Sequence, residues 1–233
     1  MHAIAIHGGA GAMPRHSVSN ERAQEYRASL ALALDAGFAI LDRGGTSLDA
    51  VTTCVRMLED DPLFNAGHGA ALTRDGWVEL DAAVMTGAKQ KAGAVAAVRH
   101  IKNPVDLARR VMEKSRHVLL VGAGAEEFAL EENFTLVANL ALRTDERRRQ
   151  LSHEQEGASV SDLIPSSQGT VGAVALDGKG DLAAATSTGG IIAVDARGGL
   201  VMEFSTDGMF RGARDARGRR EIAIYRDEAD SAA

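Results

Sequence analysis

A mixed α and β domain with two stacked sheets covered by helices is the fold class this sequence predicts, and three observations predict it. Up to Leu142 the chain alternates short β-type runs with helical stretches. Residues 143–168 are rich in Arg, Glu, Gln, Ser and Asp, with little apolar periodicity. From Thr170 onward it is dominated by strands in hairpin pairs.

Ala3 to Ile6 is a short β-type run ending in Gly8-Gly9-Ala10-Gly11. Asn20 to Arg43 has helical spacing, with Leu30, Leu34, Phe38 and Leu41 on one stripe, and Gly44-Gly45 stops it. Thr46 caps a second helix running to about Leu58, with Asp49 three residues on as in a capping box. Trp77 to Met85 and Ala92 to Val98 read as strands. Asn103-Pro104 starts a helix that ends near Ser115. Val118 to Val121 is a buried-strand run, followed by a short helix around Glu126 to Glu132. The polar stretch, about 143–169, lacks the apolar residues that offset ordering entropy and reads as a flexible linker. Two hairpins follow: Thr170 to Thr188 around Asp177-Gly178-Lys179-Gly180, and Ile191 to Phe204 around Asp195-Ala196-Arg197-Gly198-Gly199.

Composition narrows the function. The 233 residues can bury a sizeable core as one domain. A net charge of -6 argues against a general affinity for nucleic acid or anionic membrane. The single cysteine, Cys54, rules out an intramolecular disulfide. The opening residues read as a first strand and not as a signal peptide, and no apolar run is long enough to span a bilayer, so a cytoplasmic protein is expected.

The first hairpin carries the chemistry. With Leu176 and Leu182 flanking its turn, antiparallel pairing sets Leu176 opposite Leu182, Val174 opposite Ala184, Gly172 opposite Thr186 and Thr170 opposite Thr188, all on one face. Opposed Cβ atoms lie about 4.5–5.5 Å apart, within reach of a hydroxyl–hydroxyl hydrogen bond. On spacing alone, an ordinary cross-strand pair of threonines on a polar face is the simpler account. The junction Gly169-Thr170 adds a second reading. A threonine hydroxyl needs a neighbouring base, and a free α-amine on the same residue is one, with an unperturbed pKa near 8. Exposing that amine requires a cut before Thr170. The preceding glycine and the mobile stretch upstream are what such self-processing needs.

Longer strings make the pattern specific. His7-Gly8-Gly9-Ala10-Gly11, Pro62-Leu63-Phe64-Asn65-Ala66-Gly67-His68-Gly69-Ala70 and Glu79-Leu80-Asp81-Ala82 resemble the plant-type asparaginase/isoaspartyl peptidase family. So do Gly169-Thr170-Val171-Gly172-Ala173-Val174 and Thr186-Ser187-Thr188-Gly189-Gly190. The resemblance implies a four-layer αββα N-terminal-nucleophile hydrolase, α+β in class and mostly antiparallel. As one domain it would be cut into an α subunit (1–169) and a β subunit (170–233). It also implies hydrolysis of β-aspartyl dipeptides and L-asparagine through an acyl-enzyme on Thr170. Thr188 would support the nucleophile, and Asn65 would organise water near the oxyanion site. A dimer of α/β heterodimers is the implied assembly, acting on small-molecule or dipeptide substrates. No organic cofactor is implied, but a structural sodium ion is. Backbone carbonyls of Leu58, Glu59, Asp61, Phe64, Ala66 and His68 would hold it, oxygen donors suited to a hard cation; without the resemblance this loop reads as a Gly-rich turn leaving a helix.

One departure stands out. After Gly190 the family has a further loop, strand and helix, whereas this chain passes directly to Ile191-Ile192-Ala193-Val194. That segment normally supplies the Arg and Asp that clamp the substrate and the Thr-Gly pair of the oxyanion hole, so the substrate-binding residues are unknown here. Losing one oxyanion donor costs about 100- to 1,000-fold in rate. Arg211, Arg214 and Asp215 are candidate replacements that nothing in their spacing supports. The omission would also leave part of a sheet face uncovered. The alternative function is a catalytically inactive scaffold or interaction partner. Other readings are weaker. Gly122-Ala123-Gly124 after Val121 lacks the third small residue of a dinucleotide fingerprint, because position 127 is Glu127. Arg211 to Arg220 and Arg147-Arg148-Arg149 read as solvated surface, and His7, His68 and Cys54 as structural.

Overall fold

The computed structural model describes residues 1–11, 14–155, 169, 171–187, 191–203, 208–226 and 228. Ten strands and five α-helices occur among them: β1 (Ala3–Gly11), α1 (Asn20–Asp42), α2 (Ser47–Asp60), β2 (Leu80–Thr86), β3 (Lys91–Val98), α3 (Pro104–Lys114), β4 (Leu119–Val121), α4 (Gly122–Glu131), α5 (Asp145–Gln155), β5 (Val171–Leu176), β6 (Leu182–Ser187), β7 (Ile191–Val194), β8 (Leu200–Glu203), β9 (Gly208–Asp215) and β10 (Arg220–Ala223).

Local chemistry explains the helices. Ser19 caps α1 by accepting from Arg22 N, and Ala23, Tyr26, Leu30, Leu34, Phe38 and Leu41 form its buried stripe. Thr46 Oγ1 accepts from Asp49 N at 3.1 Å and donates to Asp49 Oδ2 at 2.7 Å, a reciprocal cap for α2. The helices cross closely at Gly37, where any side chain would run into Cys54 Sγ. Burial pushes that thiol up to about 12, so it is an inert packing group.

Eight strands form one sheet in the order β10-β9-β1-β5-β6-β2-β3-β4, antiparallel except for the β3–β4 pair. The fold is thus mixed α and β with mostly antiparallel pairing. Strands from both halves of the sequence interleave in this sheet, β1 lying between β9 and β5. The reason is in β1 itself: it is buried on both faces, which only a central strand can be. Helix α1 lies against β1 and β9, α2 against β5 and β6, and α3 against β2 and β3. Ile4, Ile6, Val171, Ala173, Ala175, Val84 and Val95 enter the core on that face.

The opposite face carries the two-stranded β7–β8 sheet, which contacts β1 and β5. Its turn sits over Ala3, since a Cβ at Gly198 would come 3.7 Å from Ala3 Cβ. Farther along this face Ala184, Thr186 and Met85 stay exposed.

Three expectations from sequence need correction. Val118 to Val121 is not a buried strand: β4 is the edge of the sheet, with Val118, Leu119 and Val121 exposed. Part of the flexible linker expected at about 143–169 is helix α5, capped by Thr144, whose Oγ1 accepts from Arg147 N at 3.2 Å. Nor is Arg211 to Arg220 a solvated loop. Its first half is β9, paired to β1 along its whole length, with Arg211 only 5% exposed.

Candidate functional site

The first hairpin has the register its turn dictates. Val171↔Ser187, Gly172↔Thr186, Ala173↔Ala185, Val174↔Ala184, Ala175↔Ala183 and Leu176↔Leu182 are the pairs. The turn is fixed by Asp177: Oδ1 accepts from Lys179 N (3.0 Å) and Asp181 N (3.1 Å), and Oδ2 accepts from Ser47 N (3.0 Å) at the start of α2. Burial alone would raise this carboxyl, but the amides of Ser47, Asp181 and Lys179 outweigh it and hold the group below the usual carboxylate range. One aspartate therefore ties the hairpin to the helix layer. Thr170 and Thr188 lie outside the described residues.

Gly169 is described, and its surroundings are specific. It is buried against the end of β1, where a Cβ would run into Ala10 N and stand 2.6 Å from Ala10 O and 2.8 Å from Gly9 Cα. These are backbone atoms that cannot rotate away. The register of β1 shifts between His7 and Gly9, and Gly9 has φ +112, a conformation L side chains rarely adopt. The glycine run at the end of β1 is thus a flat cradle for the Gly169 backbone. Gly172 makes a second close approach: a Cβ there would meet the buried His7 ring, 2.9 Å from Cδ2 and nearer still to Nε2. Across the sheet Arg211, His7, Gly172 and Thr186 follow one another on the face opposite the helices.

Asn65 lies in the loop between α2 and β2. Its Oδ1 accepts from Ala71 N at 2.7 Å, which turns the carbonyl into the loop; Nδ2 donates to no described residue.

The same loop gathers oxygen. Helix α2 ends before Pro62, which has no N–H to bond the Leu58 carbonyl, four residues back. Glu59 O accepts from His68 N at 2.8 Å, and Asp61 O accepts from Phe64 N at 3.2 Å. Gly67 (φ +48) and Gly69 (φ +146) let the chain curl back on itself. A Cβ at Gly67 would strike Glu59 O, and one at Gly69 would lie 2.6 Å from Phe64 O and 2.8 Å from Pro62 O. Main-chain oxygens therefore converge on the two glycines. This donor set suits a hard monovalent or divalent cation and no soft one. The Glu59 carboxyl points elsewhere: it is fully buried, and Oε1 accepts from Val105 N at the start of α3. Burial pushes it well above its ordinary value. No group of three or more His, Cys, Asp or Glu among the described residues could hold a metal.

The candidate replacements for the substrate clamp do not assemble. Arg214 turns to the helix layer, pairing with Asp35 Oδ1 at 2.6 Å and lying 4.2 Å over the Phe38 ring. Asp215 caps a turn through Arg217 N and Arg219 N. Arg211 is on the hairpin's open face, but Glu221 (3.3 Å) and Tyr225 O (3.1 Å) engage it. Two structural contributors were not found from sequence: Asp177, whose turn role hid its link to α2, and Arg147, which stood in an apparently exposed basic triplet.

A family model described as Asparaginase matches residues 1–191. An "Isoaspartyl peptidase" of Escherichia coli is 49% identical over 193 residues, covering 80% of this chain and 60% of that protein. An "Isoaspartyl peptidase/L-asparaginase" of Rattus norvegicus is 46% identical over 188 residues, 80% of this chain and 55% of the relative. A "Putative isoaspartyl peptidase/L-asparaginase" of Dictyostelium discoideum is 42% identical over 220 residues, 80% and 64%. The chain thus spans less than two thirds of the length of these relatives. No helix among the described residues is long and apolar enough to cross a membrane.

Proposed function

Because this chain belongs to the asparaginase family, we propose that it is a threonine-nucleophile amidohydrolase that cuts itself between Gly169 and Thr170. The new threonine would then hydrolyse β-aspartyl dipeptides and L-asparagine. The observation that carries the reading is the fit of Gly169 against Gly9 and Ala10, where the backbone before Thr170 is held with no room for a side chain. In the first step the Thr170 hydroxyl adds to the Gly169 carbonyl carbon, and the amide becomes an ester as nitrogen leaves. That nitrogen is the Thr170 α-amine, and water then splits the ester into the Gly169 carboxylate and the free Thr170 hydroxyl. In turnover that amine takes the hydroxyl proton, the Thr170 oxygen attacks the substrate's β-carbonyl, the C–N bond breaks to release ammonia or the second residue's amine with that proton, and water splits the resulting ester to free L-aspartate.

The six-pair register supports placing Thr188 beside Thr170, because continuing it by one step pairs those residues. Asn65, its carbonyl committed to Ala71 N, has its NH₂ left to orient water or an oxyanion. The loop 58–68 would hold a sodium ion through carbonyls of Leu58, Glu59, Asp61, Phe64, Ala66 and His68, and the ion would stiffen the segment that presents Asn65. The four-layer αββα arrangement is supported by the β7–β8 sheet on the face opposite the helices and by Ala184 and Met85 standing exposed farther along that face. Two such α/β units would pair as a dimer, in the cytoplasm.

The test is hydrolysis of a β-aspartyl dipeptide by purified, fully processed protein, with Thr170→Ala alongside. We expect aspartate release by the parent chain and neither cleavage nor hydrolysis by the variant. A single uncut band with no aspartate released from the parent chain would instead assign it to the scaffold reading.

A further inference from the structure

Of the eleven residues of α5, Asp145–Gln155, only Leu151 is apolar. A helix without an apolar stripe has no hydrophobic reason to stay on a domain, and one this short is marginal alone. Polar contacts hold it instead. Glu146 pairs with Arg22 of α1 at 3.1 Å, and Gln155 Nε2 donates to Arg74 O at 3.0 Å. Between them Arg147 is 7% exposed; its Nε donates to Gly69 O at 2.6 Å and its Nη1 to Gln150 Oε1 at 2.8 Å. Burying a guanidinium costs enough that it persists only where strong hydrogen bonds offset the loss of water. Gly69 is the residue pressed against Phe64 O and Pro62 O, and two residues on, Ala71 N holds Asn65 Oδ1. A short path therefore runs from α5 through Gly69 and Ala71 to Asn65.

We propose that Arg147 is a positioning residue for the threonine chemistry, clamping α5 onto the loop that presents Asn65. The proposal rests on the reading of Asn65 given above. Helix α5 lies in the amino-terminal fragment, upstream of the Gly169–Thr170 junction. Through the Gly69 carbonyl the Arg147 guanidinium keeps α5 seated on the Asn65 loop after the backbone is cut.

Hydrogen exchange on the full chain tests this directly. In Arg147→Ala the amides of residues 65–72 should exchange roughly ten- to a hundredfold faster, with the β1 and β5 ladders unchanged. Self-cleavage should slow about tenfold, as expected for a lost positioning contact. Millimolar guanidinium ion, which matches the deleted group, should restore part of both. Arg148→Ala removes an exposed side chain whose ion pair is with Asp145 of its own helix, and should behave as the parent. Unchanged protection at 65–72 overturns the proposal, as does loosening spread evenly over β1 and β5. Local loosening with cleavage at the parent rate also overturns the positioning role, and Asn65→Ala beside it locates the failure. Cleavage intact in Asn65→Ala faults Asn65; cleavage lost there but kept in Arg147→Ala faults the clamp.

Discussion

Gly169→Ala adds one methyl group where the structure has no space for it. The new Cβ would sit 2.6 Å from Ala10 O and 2.8 Å from Gly9 Cα, and closer still to Ala10 N. All three are backbone atoms, so relief requires the junction to move off β1 by several tenths of an ångström. Overpacking of this kind costs about 1–3 kcal/mol. The larger effect is kinetic. A reacting carbonyl displaced by about 1 Å loses on the order of 100-fold in rate, so we expect self-cleavage to slow by about 10- to 100-fold while the folded chain persists. The assay is a time course of the two fragments on a denaturing gel after rapid purification, with circular dichroism to establish that the variant folds. A folded Gly169→Ala that cleaves within about twofold of the parent would refute the argument that this cradle sets the scissile bond.

Two further outcomes follow from the same contacts. The Asp177 carboxyl is held low, so its contribution to stability is complete above its unfolded value of 3.8 and lost as pH falls through the lower folded value. Asp177→Asn should therefore cost about 1–3 kcal/mol near pH 7 and distinctly less near pH 3 by urea titration, and an equal cost at both would contradict the assignment. Replacing sodium with tetramethylammonium at equal ionic strength should lower Tm by a few degrees, because a cation bound only by the folded loop stabilises it by mass action. Coincident melting curves would remove the cation from the account.

Much of the framework was legible because its signals are local. The apolar stripe after Asn20 marks α1, Thr46 announces the start of α2, and the turn at Asp177 fixes a hairpin register by arithmetic alone. The glycines at 9, 67 and 69 could be read as turn formers, but not as faces pressed against particular carbonyls, since that depends on chain segments far apart in sequence. Strand β9 was missed because arginines mask it. Arg211 is a buried ion satisfied by Glu221 and Tyr225 O, and Arg214 by Asp35, partners that composition cannot reveal. Helix α5 was read as linker for a similar reason: it is anchored by polar contacts from Glu146, Arg147 and Gln155, not by an apolar stripe. The interleaving of the two halves into one sheet followed from the burial of β1 on both faces, which a four-residue apolar run does not announce.

Everything chemical in this account depends on the peptide bond between residues 169 and 170 being broken by the chain itself. Intact-mass analysis of freshly purified and aged protein, followed by amino-terminal sequencing, measures that event directly. The account predicts one species ending at Gly169 and another beginning Thr-Val-Gly-Ala, both absent from Thr170→Ala. A single uncut chain after prolonged incubation, or a new terminus at any other residue, would contradict it.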